Sequence, residues 1–149
     1  MALTERWTIC RLGHVHWGAR GGAGFLFRHR AGPSAPTTYL LAQRSRWVDE
    51  GNSWGIPGGA LKEDESPEEA ARREVREELS VLPRYRVSDV EVQDCGGGWQ
   101  FTIFTADVDR EFDAFVGRET DAFGWFTGEQ IAQLSLHPGL RRMLDGRVL

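Results

Sequence analysis

Residues 54–81 read WGIPGGALKEDESPEEAARREVREELSV, a tryptophan and a Pro-Gly-Gly bend that run into a charge-crowded helix. The start of that helix is written in the residues. Ser66 is placed to cap it, Pro67 suits the first helical position, and Glu69, three residues after Ser66, completes a capping box. The pattern predicts a helix over about Pro67–Leu79. At about 100° per residue, Ala71, Val75 and Leu79 form one apolar stripe for a sheet, and Glu69, Arg72 and Arg76 fall on the solvent side. Glu74, Glu77 and Glu78 take a third side, next to the stripe. One reading is an ordinary solvated face, with Glu68–Arg72, Glu69–Arg73 and Arg73–Glu77 as i,i+4 ion pairs. That reading leaves the like-charge spacings Glu74–Glu77 and Glu74–Glu78 unexplained. Each costs about 0.2–0.5 kcal/mol when exposed, and more at the rim of a core, where screening is weaker. A divalent cation reverses the sign. Carboxylate oxygens without His or Cys suit Mg²⁺ or Mn²⁺ rather than Zn²⁺. The bend at Gly58-Gly59 permits close backbone approach, which makes a carbonyl there a candidate further ligand; an ordinary turn is the alternative.

Outward from this helix, GFLFRH (24–29) and TTYLLAQRS (37–45) read as strands, separated by the Pro/Ser/Gly loop AGPSAP. Residues 46–59 are turn-rich. RVSDVEVQ and WQFTIFTADV alternate on either side of the Gly96-Gly97-Gly98 run and predict a hairpin, with Ser88, Val90 and Val92 on one side. FGWF (123–126) reads as a short strand, and TGEQIAQL and PGLRRMLDG as short helices. Strands mixed with helices predict an α/β or α+β domain on a mixed sheet. The 149 residues suit one domain, 1–149.

A formal net charge of -4 argues against a stable nucleic-acid partner. It leaves open a polyanionic small molecule bridged to acids by cations. No apolar run is long enough for a signal peptide or a membrane span. Cys10 and Cys95 form no CxxC pair and read as free thiols, so a cytoplasmic location is expected. No P-loop or dinucleotide fingerprint is present. Arg44 and Arg46, at a strand end near the Gly-Gly bend, are candidates for substrate phosphates, a plain surface role being equally open. Trp99 and Trp125 suit either base stacking or the core. His14 and His16 read as structural, and His137 as a turn residue.

The stretch from Gly59 to Val81 resembles the Nudix box of the MutT/Nudix hydrolases, G-x5-E-x7-R-E-U-x-E-E-x-G-U. Gly59, Glu65, Arg73-Glu74, Glu77-Glu78 and Val81 fall in register, and Ser80 replaces the second glycine. The resemblance implies the Nudix fold, an α/β/α sandwich around a mixed sheet. It implies hydrolysis of a phosphoanhydride in a nucleoside diphosphate linked to a further group, with Mg²⁺ or Mn²⁺. Glu74, Glu77 and Glu78 match the metal-ligand positions, with the Gly58 carbonyl as a further ligand. Arg73 would orient the box glutamates, and Glu65 would steady the loop-helix-loop. Glu74, Glu119 and Asp121 compete as the catalytic base. The substrate reading divides between a MutT-type nucleoside triphosphate pyrophosphohydrolase and a pyrophosphatase for ADP-ribose or another nucleoside diphosphate sugar. A non-catalytic nucleotide-binding regulatory domain is the third reading. A homodimer is compatible with the resemblance, although no stretch marks an interface.

Overall fold

The computed structural model describes residues 7–9, 13, 15–94, 98–117, 119–145 and 149. Cys10, His14, Cys95, Gly96 and Gly97 lie outside them. The strands are β1 (Trp7–Ile9), β2 (Val15–Trp17), β3 (Gly22–His29), β4 (Thr38–Arg44), β5 (Trp54–Gly55), β6 (Gly58–Ala60), β7 (Arg86–Asp94), β8 (Gln100–Asp107) and β9 (Thr120–Thr127). The helices are α1 (Pro67–Leu79), α2 (Gly128–Ile131) and α3 (Pro138–Leu144). β3 is the centre of the large sheet. It runs parallel to β8, and it is antiparallel to β6 at its start and to β4 at its end. β4 continues to β5 and β9, and β8 pairs with β7 as the predicted hairpin. The sheet is therefore mixed, as expected.

Alternation along these strands feeds two cores. Phe25, Phe27, Leu40 and Phe104 face Ala71, Val75 and Leu79 of α1. Leu26, Tyr39, Leu41 and Ile103 face the other way, onto Ile131, Leu140 and Met143 of α2 and α3. Helices on both faces of a mixed sheet give the α/β/α sandwich. Full burial of Val75 or Leu79 stabilises the α1 side by about 1.5–3 kcal/mol apiece.

The α1 boundaries follow the caps. Ser66 Oγ accepts the Glu69 N–H at 3.2 Å, and the Glu69 carboxylate accepts the Ser66 N–H at 3.3 Å. At the other end Ser80 takes the left-handed conformation, φ 56°, and donates its N–H to the Arg76 carbonyl. A non-glycine residue does so at a steric cost.

Two expectations need correction. β9 begins at Thr120, not at Phe123, because pairing with β4 extends to Arg44. The turn-rich stretch 46–59 contains β5 and enters β6, two pieces too short to show a period. Apart from these, β1 and β2 pair antiparallel as a separate two-stranded sheet. Val90 and Val92 share a face, as expected, and it is the outward one, about half exposed.

Candidate active site

The bend and α1 build the site together. In antiparallel pairing a residue opposite its partner either exchanges both hydrogen bonds or neither. Phe25 N–H bonds the Pro57 carbonyl, and Gly24 lies opposite Gly58. The Gly58 N–H and C=O therefore point off the ladder, and the N–H reaches the Glu78 carboxylate at 3.4 Å. The glycines are needed for closeness. A Cβ on Gly58 would lie 2.4 Å from the Ala23 carbonyl oxygen, and one on Gly59 would lie 2.5 Å from the Glu74 carboxylate.

Arg73 organises the entrance to the helix. Its Nε and Nη2 bond the two oxygens of Glu65 at 2.7 and 2.9 Å, and Nη2 also reaches the Ala60 carbonyl at 2.8 Å. Nη1 bonds Glu74 at 2.9 Å and Glu77 at 3.3 Å. Glu65 also accepts the Lys62 N–H at 2.7 Å, which ties the loop to the clamp. The Arg73 guanidinium, aided by that N–H, holds the Glu65 carboxyl below its ordinary value. The i,i+4 pairing is only partly as expected. Arg73–Glu77 forms, while Glu69 turns back to Ser66 and Glu68 accepts the Tyr85 hydroxyl at 3.2 Å.

Glu74 and Glu78 behave in the opposite sense. Burial pushes the Glu74 carboxyl up, against the pull of Arg73. Burial also pushes Glu78 well above the ordinary carboxylate value. The Glu74 charge adds to that rise, and the Gly58 N–H and Arg44 oppose it. Both acids line a cavity of about 760 Å³, with Gly58, Gly59, Arg44 and Glu119. Glu119 is exposed, yet its charge bears on both box acids. Its backbone carbonyl accepts the Ser45 N–H, seating it at the end of β4.

The remaining candidates fall elsewhere. Asp121 is exposed on β9 and does not line the cavity. Glu77 is about half exposed, leans on Arg73, and is also absent from the lining. Arg46 is exposed, with its guanidinium 4.6 Å above the Trp47 ring. Trp99 is buried in the cavity wall. One face stacks on His16 at 3.6 Å, Phe101 lies 6.2 Å away, and the indole N–H bonds the Gly18 carbonyl. Little of its face is left for a base. Trp125 packs among core aromatics and bonds the Phe112 carbonyl. His137 and Arg142, unread as site residues, both line the cavity. Their distance in sequence from the box hid them.

Among the described residues, no three acidic, imidazole or thiol groups form an assembled metal cage. The donor set nevertheless suits a hard divalent cation. Glu74, Glu78, the Gly58 carbonyl and Glu119 all offer oxygen, and a cation would offset the burial that raises Glu74 and Glu78 and the neighbouring negative charge that adds to it.

The family model for the NUDIX domain matches residues 21–146. The chain belongs to the Nudix family. A Nudix relative from Mycobacterium tuberculosis, provisionally named 8-oxo-dGTP diphosphatase 3, is 34% identical over 141 residues, covering 91% of this chain and 64% of its own length. The chain thus spans just under two thirds of that relative. A Klebsiella pneumoniae protein named nucleoside triphosphatase NudI is 29% identical, covering 74% of this chain and 88% of its own. The crystal structure of RenU, a Nudix hydrolase from M. smegmatis, superposes with a TM-score of 0.77 at 30% identity, covering 97% of this chain and 98% of its own. No helix among the described residues is long and apolar enough to cross a membrane.

Proposed function

We propose that this chain is a metal-dependent hydrolase that cleaves a phosphoanhydride bond in a nucleotide, with nucleoside triphosphates as the favoured class. One observation carries the reading: Glu74 and Glu78 are held together, partly buried and both raised, on the wall of a cavity large enough for a nucleotide. Mg²⁺ or Mn²⁺, when bound, supplies neutralisation of phosphate charge and a more acidic water. Glu74, Glu78 and the Gly58 carbonyl would hold the ion, and Glu77 would join them by leaving Arg73. Arg73 fixes Glu74 through a 2.9 Å bond and fixes the bend through the Ala60 carbonyl. Glu119, exposed at the cavity edge, is the better-placed acceptor for the proton of the attacking water, ahead of Asp121. Glu74 is the alternative base.

The relatives named as triphosphate hydrolases support the triphosphate class over ADP-ribose or another nucleoside diphosphate sugar. Retention of every box acid argues against a purely regulatory binding domain. The test is product release from a panel of nucleoside triphosphates and diphosphate sugars, with Mg²⁺ or Mn²⁺ and with EDTA. Metal-dependent release of nucleoside monophosphate and pyrophosphate from triphosphates is the expected result. No release from any member of the panel would refute the assignment.

A further inference from the structure

The cavity lining carries both signs of charge: Glu74, Glu78 and Glu119 with Asp49, Glu91, Asp94 and Asp145, and against them Arg44 and Arg142. Arg44, at the end of β4, and Arg142, on α3, both act on His137 at the start of α3. Among the described lining residues, Arg44 and Arg142 are the cationic side chains. Arg44 Nε donates to the Asp49 carbonyl at 2.8 Å, which anchors the side chain by one nitrogen. The loop before α3 is stitched to β5: Trp54 N–H bonds the Ser135 carbonyl, and His137 N–H bonds the Trp54 carbonyl at 2.7 Å. His137 Nδ1 accepts the Gly139 N–H at 3.0 Å. The ring proton therefore sits on Nε2, as a donor. Burial and the charges of Arg44 and Arg142 hold this imidazole neutral, its pKa lowered to about 4 against the weaker pull of Asp49.

We propose that Arg44, His137 and Arg142 form a grip for the terminal phosphate of a nucleoside triphosphate, in the same cavity that Glu74 and Glu78 line. A terminal phosphate carries up to about two negative charges and three acceptor oxygens. Two guanidiniums and one neutral N–H match that count. The internal phosphates of a nucleoside diphosphate sugar offer one charge and two free oxygens each, and leave part of the grip unused. The inference uses the hydrolase reading only to place the substrate in this cavity. It assigns positioning roles to two residues outside the box, His137 and Arg142.

The experiment measures equilibrium binding by calorimetry, without turnover. The ligands are an α,β-methylene nucleoside triphosphate, the matching diphosphate and ADP-ribose, each with Mg²⁺. The proteins are wild type, Arg142→Gln and His137→Asn. Arg142 is exposed, so its replacement leaves the fold intact. Asn at 137 keeps an acceptor for the Gly139 N–H and withdraws the ring donor. Each variant should lose about tenfold in triphosphate affinity and less than about twofold for ADP-ribose. Equal weakening for all three ligands, or none for the triphosphate in Arg142→Gln, overturns the proposal. Triphosphate preference without any Mg²⁺-dependent turnover would instead sink the hydrolase reading and leave this one standing. Turnover with no triphosphate preference would do the reverse.

Discussion

Glu65 and Glu78 sit at opposite ends of one loop-helix unit, and their surroundings drive them in opposite directions. Glu65 is clamped by two bonds from Arg73 and one from Lys62 N–H, and its carboxyl is lowered. Glu78 has one long bond from the Gly58 N–H, and burial raises it, with the Glu74 charge adding to the rise. The same side chain type thus closes one end of the unit and leaves the other electrostatically unfinished. A charge crowd that satisfies itself is structural. One that cannot do so among its own neighbours is where a cation belongs.

The sharpest way to break this contrast is Glu78→Gln. Turnover should fall at least about 100-fold, the upper range for groups that merely support a metal ligand, while the melting temperature in EDTA holds or rises. Near-wild-type rates would mean that Glu78 holds no ion. Next in size is Gly59→Ala. Its Cβ would meet the Glu74 carboxylate at 2.5 Å and displace it from Arg73, for an expected loss of about tenfold in kcat, on the scale of a misplaced catalytic group. Unchanged kinetics would show that Glu74 has room to spare.

At the clamped end, Arg73→Ala should cost about 2 kcal/mol in urea denaturation, because it strands Glu65 and the Ala60 carbonyl together. The pH response divides the two ends. Glu78 and Glu74 have raised pKa values, so in EDTA their contribution is greatest below 4.5 and is lost as pH climbs through the raised values. Glu65 has a lowered pKa, so its contribution is present above 4.5 and disappears as pH falls through the lowered value. Denaturation of metal-free Glu78→Gln should therefore lose part of the decline in stability seen between 4.5 and neutrality. An unchanged pH profile would contradict the raised Glu78. The smallest effect is expected at Ser80→Gly, a gain of about 0.5–1 kcal/mol in stability from relief of the left-handed serine, reduced by the added freedom of the unfolded chain.

What was legible in the sequence follows from how local each signal is. Ser66, Pro67 and Glu69 lie within four residues and fix the start of α1. The alternation around residues 86–107 reads as a hairpin because its partners adjoin. Glu74, Glu77 and Glu78 stand out because like charges at helical spacing need an explanation. The exchange of partners along α1 was hidden, since Arg73 prefers Glu65 in the preceding loop to Glu69 on its own helix. Arg46 and Trp99 look alike with Arg44 and Trp125 as candidates until folding turns Arg46 onto Trp47 and Trp99 against His16. His137 and Arg142 reach the cavity only because the 135–137 segment docks on β5, a contact across about 80 residues of chain that no local pattern encodes.

The parallel partnership of β3 and β8 has a bearing on how the chain is made. Arg28 and Asp107, joined at the end of that pairing, are 79 positions apart. The box helix leaves the ribosome well before the strand that completes the sheet beneath it, so the early half must wait, with one edge of β3 unpaired and Phe25 lacking its Phe104 neighbour. Long-range parallel pairing of this kind slows folding and lengthens the time in which sticky surface is shown. A nascent chain stalled before Gln100 would therefore be a substrate for chaperones, whatever the quality of its capping box.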